Sequence, residues 1–389
     1  MAADRVELLA MVFIAARVGN TAIPAIQKIN GIRLMQLQTS WIFPVTRRGW
    51  LFLSLRMIFL VVAPIASMLW YMLDVPGESS GTVSALATPI EQELAVRLRQ
   101  HVVTIASKEH NTRTPRALRE TADYIDAELS RYGYKVEKQV FQADDETVWN
   151  LEVEIKGTST PDEIVIIGAH YDSAHGSPGA NDNGSGTAMV LELARRFRTA
   201  RPERTLRFVL FTNEEPPHFS TTAMGSLVYA NRSRARKENI VAMLSLETIG
   251  YYSDAPGSQR YPIIFKPFFP DVGNFVAIIG DLRSRELVQQ TVSTFRKSSH
   301  LPSEGIAAFP WIKGIDWSDH SAFWTNDYRA LMITDTAIFR YPHYHTKDDT
   351  PEKLNYPHIA RLFSGIRVMV EELAVLPKPA AMQIRAGAR

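Results

Sequence analysis

The chain has 389 residues, 46% apolar and 22% charged, enough for one large hydrophobic core or two ordinary ones. Its formal net charge is +2, so composition gives no argument for nucleic acid as a partner. There are no cysteines, which excludes disulfides, thiolate metal sites and cysteine nucleophiles.

Residues 1–48 are basic: Arg5, Arg17, Lys28, Arg33, Arg47 and Arg48 stand against Asp4 and Glu7. An apolar patch, Leu8–Ala16, is too short to cross a bilayer. The stretch Gly49–Leu73 carries a single charge, Arg56, near its start, where the head can snorkel. It is long enough for a span of about 20 residues, with Trp50, Trp70 and Tyr71 near its ends. Positive charge precedes it, and Asp74 and Glu78 follow. The positive-inside rule therefore predicts a cytoplasmic segment 1–48, an uncleaved transmembrane anchor over 49–74 and an extracytoplasmic remainder. Ala85-Leu86-Ala87 fits a cleavage pattern but lies far beyond the apolar run. The leader is long enough that Met35 is an alternative start.

Residues 75–88 are small and polar and predict a linker. Helical spacing then covers Glu91–Ser107, through Leu94, Leu98, Val102 and Ile105, and Thr114–Tyr132, through Leu118, Ala122, Ile125 and Leu129. Tyr134–Phe141 and Leu151–Ile155 alternate as half-buried strands. Ile164–Ile167 is an unbroken β-branched run, as in a strand buried on both faces. Polar chemistry begins where it stops, at His170, Asp172 and then Asp182. A helix over Gly184–Arg198 follows. The pattern repeats: Thr205–Phe211 ends at Glu214 and Glu215, and Ile240–Leu246 ends at Glu247. The run Ala330–Ile333 is followed by Tyr344-His345. Further helices are expected over Ala223–Asn231, Ser284–Arg296 and Tyr356–Leu373, and long loops over Asp254–Asp271 and Ser298–Asp316. Aromatics in and beside those loops (Tyr261, Phe265, Phe268, Phe269, Phe309, Trp311, Trp317) suggest a pocket wall. Residues 89–376 thus form one domain and 377–389 a tail.

Strands alternating with helices predict a three-layer α/β/α sandwich with a mixed, mostly parallel central sheet. Ligands in such folds sit beyond the carboxyl ends of the strands. The acids and imidazoles found there are residue types that hold divalent metal. Other motifs carry less. Asp319-His320-Ser321 cannot wrap into a catalytic triad, and no G-x-S-x-G or HExxH is present. Ser185 reads as a turn residue, His175 and His218 as pocket lining, and the sequons at Asn183 and Asn231 as chance matches.

The ordered set HYDS, GANDNGSG, NEE, LETIG, SDH and YHTKDDT resembles the co-catalytic zinc exopeptidases of the aminopeptidase S and aminopeptidase Y type. Glutamate carboxypeptidase and glutaminyl cyclase share that clan (MH). The resemblance spans residues ~90 to ~375, the whole body of the domain. It implies two Zn²⁺ per chain, one held by His170 and Glu247, the other by Glu215 and His345, with Asp182 bridging. It implies Glu214 as general base for a zinc-activated water, Tyr344 as oxyanion donor and Asp172 as the group orienting His170. The pattern departs at Glu247, where the family usually has Asp. The implied function is an aminopeptidase acting on peptides. The alternatives are a cyclase or carboxypeptidase on the same scaffold, or a receptor-like ectodomain without catalysis. Oligomeric state is not legible.

Overall fold

The structure is a computed structural model that describes residues 46–80 and 88–376, with a short backbone pairing of Lys28–Ile29 with Ile32–Arg33. Met35, the cleavage-like Ala85-Leu86-Ala87, the tail 377–389 and most of the expected cytoplasmic segment lie outside the described residues. The chain divides into two units, Met1–Ser67 and Met68–Arg389.

Helix α1, Arg47–Leu73, has a mean hydropathy of 2.1 over its most apolar window. Among the described residues it is the helix long and apolar enough to cross a membrane. Leu51, Phe52, Phe59 and Leu60 on it are exposed.

In the second unit, α2 (Pro89–Ile105) starts at a capping box: Thr88 Oγ1 accepts from Glu91 N, and the Glu91 carboxylate accepts from Thr88 N. Then follow α3 (Pro115–Arg131), β1 (Glu137–Ala143), β2 (Glu146–Ile155), β3 (Thr160–His170), α4 (Gly186–Phe197), β4 (Arg204–Phe211), α5 (Gly225–Ala235) and β5 (Asn239–Glu247). The rest is β6 (Val276–Asp281), α6 (Arg285–Ser298), β7 (Ser303–Ala308), α7 (His320–Thr325), β8 (Ala330–Thr334) and α8 (Tyr356–Leu373). The sheet order is β1-β2-β4-β3-β5-β8-β6-β7. The pairs β3–β4, β3–β5, β5–β8 and β6–β7 are parallel; β1–β2, β2–β4 and β6–β8 are antiparallel. One face packs on α2, α3, α4, α6 and α8, the other on α5, α7 and the loops around Phe265 and Ile315. This is the expected mixed sandwich.

Strands β6 and β7 are not anticipated by the sequence reading. The supposed loop Ser298–Asp316 contains β7, and the helix α7 also goes unforeseen. VAIIGD and SEGIAA are six residues each and rich in Gly and Ala, so they give little period-2 signal. The end of the expected anchor and the start of the expected linker are docked on the domain. Arg285 donates to Tyr71 O and Asp74 Oδ2, Gln289 to Asp74 O, and Ser303 N to Ser79 Oγ. Val75 packs with the core beside Gly305.

Two close contacts make measurable demands. Gly186 opens α4 against β5, and an added Cβ would run into the Leu246 carbonyl and Asn183 Oδ1. Gly186→Ala is therefore expected to lower unfolding stability by about 1–3 kcal/mol, read from denaturant titration. Glu192 on α4 is buried under α2, within reach of Arg97 Nε (3.1 Å), Arg195 Nε (2.9 Å) and His101 Nε2 (3.3 Å). Burial opposes its charge, but hydrogen bonds from His101 and Arg195 outweigh burial and hold the carboxyl down at about 2. A depressed folded-state pKa contributes stability that is present above the unfolded value near 4.5 and lost as pH falls toward 2. The contribution is on the order of 3 kcal/mol. Acid unfolding of Glu192→Gln should show a shallower loss in that window than the parent; parallel curves would refute the assignment.

Candidate metal centre

Strands β4, β3 and β5 are neighbours and parallel, so their carboxyl ends open on one edge of the sheet. The chain leaves β3 for β4 on one side, then crosses to β5 on the other. That reversal makes a crevice at the end of β3. Register levels the side chains: His170 is opposite Phe211, and Gly168 is opposite Ser245, two residues before Glu247. Asp182 arrives from the turn between β3 and α4, Glu214 and Glu215 from just beyond β4, and His345 from the loop after β8.

All five expected ligands meet there. His170 Nε2 lies 3.2 Å from Asp182 Oδ1 and 3.2 Å from Glu247 Oε2. His345 Nε2 lies 3.0 Å from Asp182 Oδ2 and 3.1 Å from Glu215 Oε2. The two oxygens of Asp182 therefore face two separate groups, His170 with Glu247 and His345 with Glu215. Within each group the ligand atoms lie within 4.8 Å of one another. Glu214 is also close, its Oε2 3.8 Å from His170 Nε2, and forms a third such group with His170 and Glu215.

The donor set fits divalent metal. His170 Nε2, His345 Nε2 and Glu215 Oε1 have no hydrogen-bond partner among the described residues. Buried polar atoms are seldom left so. Acids outnumber bases here, and the carboxylates repel one another. Burial and the charge of Asp182 push Glu215 up to about 8 and Glu247 up to about 7. Burial, helped by the nearby Glu215 and Glu247, holds Glu214 well above the carboxylate range. Burial opposes a charge on His345, yet its contacts with Asp182 and Glu215 raise it to about 11. Bound cations would relieve that repulsion.

Asp172 does more than the sequence suggests. Its carboxylate is 3.4 Å from His170 Nδ1, while its backbone oxygen is 3.1 Å from the same nitrogen. The two carboxylate oxygens accept the backbone N–H groups of Glu214 (3.1 Å) and Glu215 (3.2 Å). Asp172 thus ties the end of β3 to the acidic pair beyond β4. The ring of Tyr344 stacks on His345 with centroids 3.8 Å apart and borders the pocket beside Glu247.

Three residues lie within motifs of the sequence but have supporting roles that the sequence does not reveal. Ser318 Oγ donates to Glu247 Oε2 at 2.8 Å, pinning the longer carboxylate. Asp349 accepts from Asn181 N (2.8 Å) and Asp182 N (3.2 Å), fixing the turn that carries the shared acid. Asn183 donates to Leu246 O and accepts from Gly186 N and Thr248 N. Apart from Gly186, three residues from Asn183, their partners are distant in sequence, so local pattern holds little signal for them. Position 349, in a DDT run after a candidate ligand, is the one place where an acid invites attention.

Several readings of single residues are revised or sharpened. Tyr261, Phe265, Phe269 and Trp317 do line the large pocket next to Glu247. Phe268 and Trp311 do not; they are exposed, and Phe309 stacks on Trp311. His175 and His218 do not line that pocket either, and His218 contacts Thr112 Oγ1 instead. His320 Nε2 bonds Ile315 O, which turns it away from the ligands. Ser185 bridges Asn181 O and Ile249 N, a turn role as expected.

The sequence profile of Peptidase family M28 matches residues 150–370. An uncharacterised protein of Escherichia coli K12 is 36% identical over 285 residues, covering 67% of this chain and 87% of that relative. A probable leucine aminopeptidase of Trichophyton verrucosum is 26% identical over 298 residues, covering 72% of each. Among solved structures, LapB of Legionella pneumophila aligns with a TM-score of 0.58 at 19% identity, covering 87% of this chain and 84% of that one. The glutaminyl cyclase of Fimbriiglobus ruber aligns with a TM-score of 0.55 at 17% identity, covering 77% and 99%. At such identities the structural likeness speaks for the fold alone.

Proposed function

Since this chain belongs to peptidase family M28, we propose that it is a membrane-anchored, two-zinc aminopeptidase that removes the N-terminal residue of peptides. The observation that carries the two-metal reading is Asp182, whose oxygens face His170 with Glu247 on one side and His345 with Glu215 on the other. One carboxylate can serve two ions about 3.5–4 Å apart. Zinc held by those residues would polarise the scissile carbonyl and make a water acidic near neutral pH.

The chain's own residues supply the rest. Glu214 stands beside the ligands with its backbone N–H held by Asp172. It takes the proton of the attacking water at a carboxylate oxygen and delivers it to the departing amine. Tyr344 donates its hydroxyl hydrogen bond to the oxygen that becomes negative on the tetrahedral carbon. Burial and the surrounding acids keep that phenol protonated, as a donor must be. Asp172 and the Asp172 carbonyl fix the Nδ1 side of His170, leaving Nε2 for the ion.

The test combines metal analysis with product analysis. Two zincs per chain, and single residues released from peptides with a free N-terminus but not from blocked ones, are expected. One zinc per chain with cyclised N-terminal Gln, or release from the C-terminus, would replace the reading by its rivals. For the anchor, the basic residues before α1 and the acids after it favour an extracytoplasmic catalytic domain. Protease added to intact cells should digest the domain and spare it only after the opposite topology is engineered.

A further inference from the structure

Four residues lie in one transverse row of the sheet. Glu247 is opposite Thr334, Thr334 opposite Ala277, and Ala277 opposite Glu304. Residues directly opposite one another project from the same face, and all four line the same pocket. With strands about 4.8 Å apart, the backbones at Glu247 and Glu304 are separated by about 14 Å. The pocket therefore runs from the candidate metal centre across the sheet to a second carboxylate. It holds about 800 Å³ of free space, part of it open to solvent. Between its ends the lining is apolar, with Ile279, Ile306 and Met332 from the strands and Phe265, Phe269 and Phe339 from the loops.

Glu304 is poorly served. Its side chain is 21% exposed and accepts no hydrogen bond among the described residues. Its one ion-pair partner there, Arg296, is 3.8 Å away and reaches around the edge strand β7 from α6 on the opposite face. That guanidinium already donates to the carbonyls of Pro76, Gly77 and Ser303. Lys313, the cation that lines the pocket, is drawn to the Trp317 ring, 5.7 Å from its centroid. A carboxylate without donors at the end of an apolar passage is costly until a cation meets it. Lys and Arg are built to do so, since their stems lie along apolar surface while the head keeps its charge.

We infer that the pocket selects peptides whose N-terminal residue is Lys or Arg, with the stem along the aromatic wall and the cationic head on Glu304. This rests on the aminopeptidase reading of the same site. A norleucine side chain fills the apolar length but leaves Glu304 unpaired. Glu247 lies at the end where the bond is cut, so Glu304 discriminates between side chains without touching the reacting atoms.

The experiment uses the full zinc-loaded chain and the ratio of kcat/KM for Arg and Lys anilides over norleucine anilide. A ratio is blind to how much of a variant is folded. The parent should favour the basic substrates, and Glu304→Gln should lower the ratio about 10–100-fold, the worth of a hydrogen bond to a charged group. An unchanged ratio overturns the inference. So does release of dipeptides, which would mean that Glu304 holds the α-amine instead. Calorimetric binding of argininamide and norleucinamide separates this from the reading it rests on. Tighter argininamide binding that depends on Glu304, with no anilide cleaved, keeps the pocket assignment and removes the aminopeptidase. Equal binding of the two amides removes the pocket assignment even where leucine anilide is hydrolysed.

Discussion

Glu214→Gln is expected to lower kcat by about 10²–10⁴-fold, the range of a lost general base, with zinc content and melting temperature close to those of the parent. Gln has the same shape and keeps the backbone hydrogen bond from Glu214 N to Asp172. What it loses is the ability to take a proton. Glu214 is buried, 3.8 Å from His170 Nε2, and among the described residues that imidazole is its one ion-pair partner. The proposed role for Glu214 is thus chemical, while the neighbouring Glu215 faces His345. The check is steady-state turnover measured beside metal stoichiometry on the same preparation. Full turnover in the variant would remove Glu214 from the mechanism. Loss of zinc along with turnover would make it a ligand, as its closeness to His170 and Glu215 also permits.

The second large effect concerns the shared acid. Asp182→Ala should lose both ions, and with them about all activity, because each half of the centre would keep only a His and a Glu. The stability signature is as telling as the activity. In the parent, zinc at a thousand times its dissociation constant adds about 4 kcal/mol to folding. Its melting temperature should therefore rise on zinc addition and fall on chelation. The variant should melt at one temperature in both conditions. Its own apo stability need not drop, since removing Asp182 also removes a charge that pushes Glu215 and Glu247 up. Asp182→Asn offers a milder case that keeps the volume. A variant that still binds two zincs would sink the bridging role.

The candidate site was legible in the sequence to an unusual depth because its ligands follow strands. IVII, TLRFVLF and IVAMLSL are largely apolar runs, Arg207 being their one charge, and polar chemistry begins within three residues of each. That break marks where a strand leaves the core, which is where an α/β sheet places ligands. The helix Tyr356–Leu373 was equally plain, since its apolar residues recur at helical spacing and it is buried along that face. The two short strands β6 and β7 leave no such mark, and neither does the row that joins Glu247 to Glu304. Sequence pattern pairs Asp172 with His170 but carries no sign of its grip on the backbone of Glu214 and Glu215.

The order of apolar runs and the chemistry at their ends are local properties, and the sequence alone settled them: an α/β body, an apolar helix before it, and a set of acids and imidazoles suited to metal. Which strands become neighbours is not local. The order β4-β3-β5-β8 brings together residues from 170 to 345, and its register decides that His170 stands level with Glu247 and Glu304 in line with both Thr334 and Glu247. Side-chain and backbone contacts across such distances, as from Asp349 to Asn181 and Asp182, exist because packing closes the chain on itself.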